Sequence, residues 1–150
     1  MSMVKWIDIT SPTLRKVHQI WCEMRGDALI PHLKSYNTFL PVAHNDDTIC
    51  AIFPAQSGSP AFRSVGVNLV YYFPDVSDGL PFAQIKSIVA RTALTVPFHE
   101  VCNNRQPDCR RAKVGGGLNG RSYEQLLVPF GDDRLRVCLV HALFEFSAGQ

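Results

Sequence analysis

The chain has 150 residues, 46% of them hydrophobic, which is enough for one continuous core and predicts a single domain over 1–150. Fifteen basic side chains against thirteen acidic ones leave a net charge of +2, too weak a field to demand nucleic acid or an anionic membrane as partner. No stretch approaches the roughly 20 apolar residues of a membrane span, the start MSMVKWIDITSP lacks a secretion signal, and five scattered cysteines are an odd number, so a cytoplasmic chain with reduced thiols is expected.

Thr10-Ser11-Pro12 reads as a helix cap with proline in the first turn, and Leu14, Val17, Trp21 and Met24 recur at three- and four-residue spacing until Gly26. The spacing predicts an amphipathic helix over 12–25, whose stripe is available to a sheet or to a second subunit. Pro31 and Pro41 break any regular pattern between 28 and 45, so this segment is expected to wrap the core through Leu29, Ile30, Phe39 and Leu40. A core region follows, over about 45–146. TICAIF (48–53) and AFRSVG (61–66) read as a hairpin with a loose loop. VNLVYYF (67–73) suits a strand or a short helix equally, because its residues favour the former and its flanks the latter. Leu80-Pro81 opens a predicted helix over 81–95 that carries Phe82, Ile85, Ile88, Val89 and Thr92 on one side, with Pro97 as its end and PFHEVC as a strand-like continuation. SYEQLLVPF and RLRVCLVHALFEF are predicted strands joined by a turn at GDD.

In that last strand Leu135, Val137, Leu139 and Leu143 fall on one face, and Cys138, Val140, Ala142, Phe144 and Phe146 on the other. A strand apolar on both faces needs cover on both. The helix over 12–25, or a second copy of the chain, supplies one layer. An antiparallel sheet with grouped helices is the implied class, α+β.

Several motifs bear on chemistry. VGGGLNGRS (114–122) comes within one residue of the phosphate-cradling pattern G-x-x-x-x-G-K-[ST], and a nucleotide-binding enzyme using Gly115–Ser122 is the alternative it raises. Such a cradle needs a helix directly after the loop, whereas YEQLLVPF alternates and contains a proline, so a turn between strands is expected. His99, Cys102 and Cys109 form H-x2-C-x6-C, three ligand types without a nearby fourth, and read as buried thiols beside a histidine, with no zinc. His99 and Cys102 meet as base and nucleophile only on a helix, and an extended segment keeps them apart. Arg105, Arg110, Arg111, Lys113 and Arg121 make a basic patch, which raises a nucleic-acid binder as a second alternative; with few stacking aromatics it reads as a solvated loop face, with no nucleic acid bound. His141, among apolar neighbours, is expected to be a hydrogen-bonded core histidine.

Read in order, the chain resembles the small single-domain bacterial PAS proteins. Trp21, Arg25-Gly26, LIP (29–31) and FLP (39–41) are similar to that family's opening helix and proline-marked approaches. AFRSVG, YYFPDVSDG (71–79) and YEQLLVPFGDD (123–133) are similar to its second strand, its segment before the central helix, and its penultimate strand and turn. The segment between Pro31 and Pro41 is short for the family and 97–122 is long. The resemblance implies a five-stranded antiparallel sheet with short helices over a face that holds a small molecule, and a short helix for VNLVYYF. It implies a sensor or interaction module, not an enzyme, signalling through a partner protein and paired as a homodimer through Leu14, Val17, Trp21 and Met24. Tyr71, Tyr72, Phe82, Phe98, His99 and Tyr123 are the expected ligand-binding residues, as aromatic or polar-tipped groups. Flavin is not expected, since only Cys109-Arg110 echoes the flavin-binding stretch, and haem is not expected, since His99 lies beyond the helix.

Overall fold

The computed structural model describes residues 8–43, 47–54, 58–114 and 121–147. Ser11 caps the first helix, α1 (Pro12–Arg25), its hydroxyl accepting from the Leu14 N–H at 3.1 Å, and Gly26 ends it at φ 54°. The expected boundaries are those observed. The prolines of the next segment do not prevent a helix: a 3-10 turn at Leu33–Ser35 leads into α2 (Tyr36–Ala43), with Pro41 inside it. Tertiary packing overrides the proline because Tyr36, Phe39 and Ala43 are buried on one side.

β1 (Thr48–Ile52) and β2 (Ala61–Val65) form the expected antiparallel hairpin, and Val67–Tyr72 is a short helix, α3. The helix expected over 81–95 is displaced. Phe82–Gln84 is only a 3-10 turn, and the long helix, α4, runs Ile88–Asn104, capped by the Ser87 hydroxyl on the Ala90 N–H at 3.2 Å. Pro97 does not end it. Proline removes one helical donor, which would have served the Ala93 carbonyl, but Ala93 is exposed while Pro97 and Phe98 are buried, so core packing carries the helix through the proline. PFHEVC is therefore helix and not strand, and α4 stops at Arg105 in the left-handed region, φ 55°.

β3 (Asp108–Val114), β4 (Arg121–Gly131) and β5 (Val137–Phe146) complete a five-stranded, wholly antiparallel sheet in the order β2-β1-β5-β4-β3. In the turn between β4 and β5 the Asp132 carboxylate accepts from the Arg134 and Arg136 N–H groups at 2.9 and 3.0 Å. β4 and β5 pair so that Glu124, Leu126, Val128 and Phe130 share one face with Glu145, Leu143, His141 and Leu139. That face carries α1 and α2: Phe39 packs on Phe130 and His141, and the Trp21 indole donates to the Pro129 carbonyl at 2.9 Å. α3 and α4 cover the opposite face, where Tyr72 stacks on Phe146, Phe73 meets Phe144, and Phe98 meets Phe62. Both faces of the hairpin are thus covered from within the chain. No helix among the described residues is long and apolar enough to cross a membrane.

Candidate functional site

The six expected ligand residues fall in different places. Phe98 lies fully inside, and Phe82 joins it with Phe53 and Phe62 in a ring cluster between α4 and the hairpin β1–β2. His99 is exposed, edge-on to Phe53 and Phe82, at a shallow cleft that also takes Arg91, Thr92 and Thr95. Tyr123 is buried at the other end of the same sheet face, against Phe73, Phe144 and Phe146; burial pushes its phenol above its ordinary pKa, partly offset by Arg110. Tyr71 and Tyr72 meet edge to face at the end of α3, where Tyr71 is 83% exposed.

Tyr71 and Tyr72 belong to a groove of about 720 Å³ between α3 and the end of β5. Its floor is aromatic: Tyr72 stacks on Phe146 at 4.2 Å between centroids, with Phe144 beside them. Its rim is polar, with Asn68, Asp47, Glu145 and Arg121. The Arg121 guanidinium donates to the Tyr72 hydroxyl at 2.7 Å and to the Ser147 carbonyl at 2.8 Å, and it lies 5.9 Å from the Tyr72 ring centroid. Its Nε is buried without an acceptor among the described residues. The site thus combines an aromatic shelf with groups of both charges. Sequence reasoning placed Phe144 and Phe146 on one strand face and Arg121 in a basic patch, and only the fold brings them to α3. Phe82, Phe98 and His99 stand apart from this groove.

The stripe expected to pair two subunits is committed within the chain. Leu14, Val17 and Trp21 are buried against the chain's own sheet, and Met24 is half-buried beside them. The residues Gly115–Gly120 lie outside the described residues. Arg121 and Ser122 open strand β4, so no helix follows the glycines to hold a phosphate.

The basic patch is largely paired. Arg110 bridges Asp108 and Glu100, and Arg111 bridges Glu124 and Asp8. It is not a loop face, because Arg110, Arg111 and Lys113 lie on β3. His99 and Cys102 both fall on α4, contrary to the extended reading, yet His99 turns to Phe53 and Phe82. Among the described residues no three His, Cys, Asp or Glu groups gather in a metal-sized cluster.

Two polar clusters escaped the sequence reading. On α1, the Cys22 sulfur lies 3.6 Å from His18 Nε2; burial holds the imidazole below its ordinary pKa and pushes the thiol up, the reverse of an activated pair. At the start of α1, Glu124 accepts from the Thr10 N–H at 3.0 Å, the Thr10 hydroxyl at 2.7 Å and the Ser11 N–H at 2.7 Å, while the Ser11 hydroxyl donates to Glu145 at 2.6 Å. Burial alone would raise the Glu124 carboxyl, but these bonds and Arg111 outweigh it and hold its pKa below the ordinary value. His141 is the expected core histidine, 1% exposed, its Nδ1 2.9 Å from the Tyr36 hydroxyl. Compared with known proteins, the chain matches no family model and no characterised sequence.

Proposed function

We propose that this chain is a PAS-like sensory module that binds a small amphipathic molecule without transforming it and passes the signal to a partner protein. The observation that carries the reading is the groove between α3 and β5, in which a stacked aromatic floor meets an arginine and two carboxylates at the rim. Such a site gains from burying a flat apolar body while orienting one polar end. The five-stranded antiparallel sheet with helices over both faces supports the PAS-like part, as do the sequence segments that resemble that family. The groove is more open than the internal pocket that the resemblance implies, because rings from both sides fill the space between sheet and α4. A molecule held there would lie between α3 and the last strand, the two elements through which occupancy would be felt.

Native mass spectrometry of the freshly purified protein tests this directly. A retained mass of a few hundred daltons, lost in Tyr72→Ala while the circular dichroism spectrum is kept, is the expected result. If the protein carries no such mass and a metabolite library produces no thermal shift of about 2 °C or more, the sensing role is wrong.

A further inference from the structure

The groove between α3 and β5 holds an arginine whose charge no described carboxylate answers. Arg110, Arg111 and Arg136 each pair with an acidic side chain, whereas the Arg121 guanidinium donates only to neutral oxygens, the Tyr72 hydroxyl and the Ser147 carbonyl. Its Nε is buried and has no acceptor among the described residues. A half-buried cation solvated this incompletely is stabilised by an anion at its open side. Apolar surface lies beside it in contact with water: Tyr71, edge-on to Tyr72, is 83% exposed, and Val67 on the same lining is 78% exposed.

We propose that the groove selects planar aromatic monocarboxylates, an assignment that rests on the groove being the sensing site. The ring lies along Tyr71, Tyr72 and Phe146, and the carboxylate accepts from Arg121. Both halves are needed. The rings alone would serve any flat apolar molecule and the arginine alone any anion, but the guanidinium carbon sits 5.9 Å from the Tyr72 ring centroid, which suits an acid carried on a ring. The rim sets the number of negative charges. Arg121 is the one cation among the described lining residues, and the Asp47 carboxylate shares that lining, so a second negative charge on the ligand meets repulsion and no further partner. Glu145 adds little on this side, because its carboxylate lies on the α1 face, where it accepts from the Ser11 hydroxyl at 2.6 Å. A cationic ring would set its own charge against the guanidinium.

Isothermal titration with 2-naphthoate, 2-naphthamide, 2-naphthyl phosphate and octanoate tests the assignment. The expected dissociation constant for 2-naphthoate is below about 1 mM. It should be about tenfold or more tighter than the amide, which loses the charge-assisted bonds, and likewise tighter than octanoate, which has no ring to stack. The phosphate should bind no tighter than the acid. Arg121→Gln is expected to abolish the preference for acid over amide and Arg121→Lys to keep part of it, in proteins whose circular dichroism spectra match the wild type. The ligand comparison uses the unaltered protein, so it decides the matter even where a variant misfolds. An amide or octanoate within tenfold of 2-naphthoate overturns the proposal, and so does a phosphate that binds more tightly. If the amide binds as well as the acid and Tyr72→Ala abolishes both, the groove remains a site for flat apolar molecules and only the acid selectivity is wrong. If none of the four binds, the aromatic-acid assignment fails, and the native mass spectrum decides separately whether the groove holds another molecule.

Discussion

Gly131 shows how closely the chain is packed at single positions. It ends β4 at a register shift, its N–H donates to the Pro31 carbonyl at 2.9 Å, and a Cβ there would press on the buried Ile30 side chain and approach the Arg136 carbonyl to 3.2 Å. Gly131→Ala is therefore expected to destabilise the fold by about 1–3 kcal/mol, the usual range for overpacking, read as a lower urea midpoint at unchanged slope. An unaltered midpoint would mean that Ile30 has room to move. Tyr36 makes a different point. Its hydroxyl joins the His141 imidazole inside a shell that includes Phe39 and Phe130, so Tyr36→Phe removes a buried hydrogen bond. A loss of about 1–3 kcal/mol follows, and a variant as stable as the wild type would show that this hydrogen bond does not contribute. That His141 is a hydrogen-bonded core residue was legible from its apolar neighbours. Its partner, 105 positions away, was not.

Among the elements, α1 and α4 contrast instructively. α1 carries its cap, its proline and its apolar stripe in the expected places, so local chemistry and tertiary packing agree over Pro12–Arg25. In α4 they disagree. Pro97 is a breaker by local rules, yet the helix passes through it because Phe98 and Val101 gain more from burial than the missing hydrogen bond costs. The true start lies at Ser87, whose hydroxyl caps the Ala90 N–H. Ser87→Ala is expected to lower stability by about 1 kcal/mol, with faster amide exchange confined to the first turn of α4. Exchange unchanged there would show that water replaces the cap. β3 was not predicted as a strand, since DCRRAKV lacks the alternation of a half-buried strand; it is an edge whose register is set by β4, with Arg111 opposite Glu124.

For the molecule as a whole, the covering of the sheet by α1 depends on one carboxylate. Glu124 holds Thr10 and Ser11, and thereby the start of α1, against the end of the sheet. Its folded pKa is depressed, so its contribution is complete above the ordinary value of 4.5 and is lost as pH falls through the depressed value. Below pH 4.5 the melting temperature should fall in the wild type and fall less in Glu124→Gln, which is already weaker at pH 7 by about 1–3 kcal/mol. Parallel pH profiles for the two proteins would contradict this role. Since the same end of the sheet borders the groove, limited proteolysis near Thr10 at low pH would report the loosening directly.

Much of the architecture followed from the sequence alone. The α+β class, the helix over 12–25, the two hairpins and the covered, two-faced last strand follow from periodicity and turn chemistry, which act over a few neighbouring residues. Tertiary structure decided the rest. Whether α4 ran through Pro97, whether Leu14, Val17 and Trp21 served a partner or the chain's own sheet, and which aromatics met Tyr72 all depended on burial against residues far away in sequence. Local patterns state that an apolar surface must be covered; only the packed molecule determines what covers it, because burial is non-directional and depends on the area removed from water, whichever residue removes it.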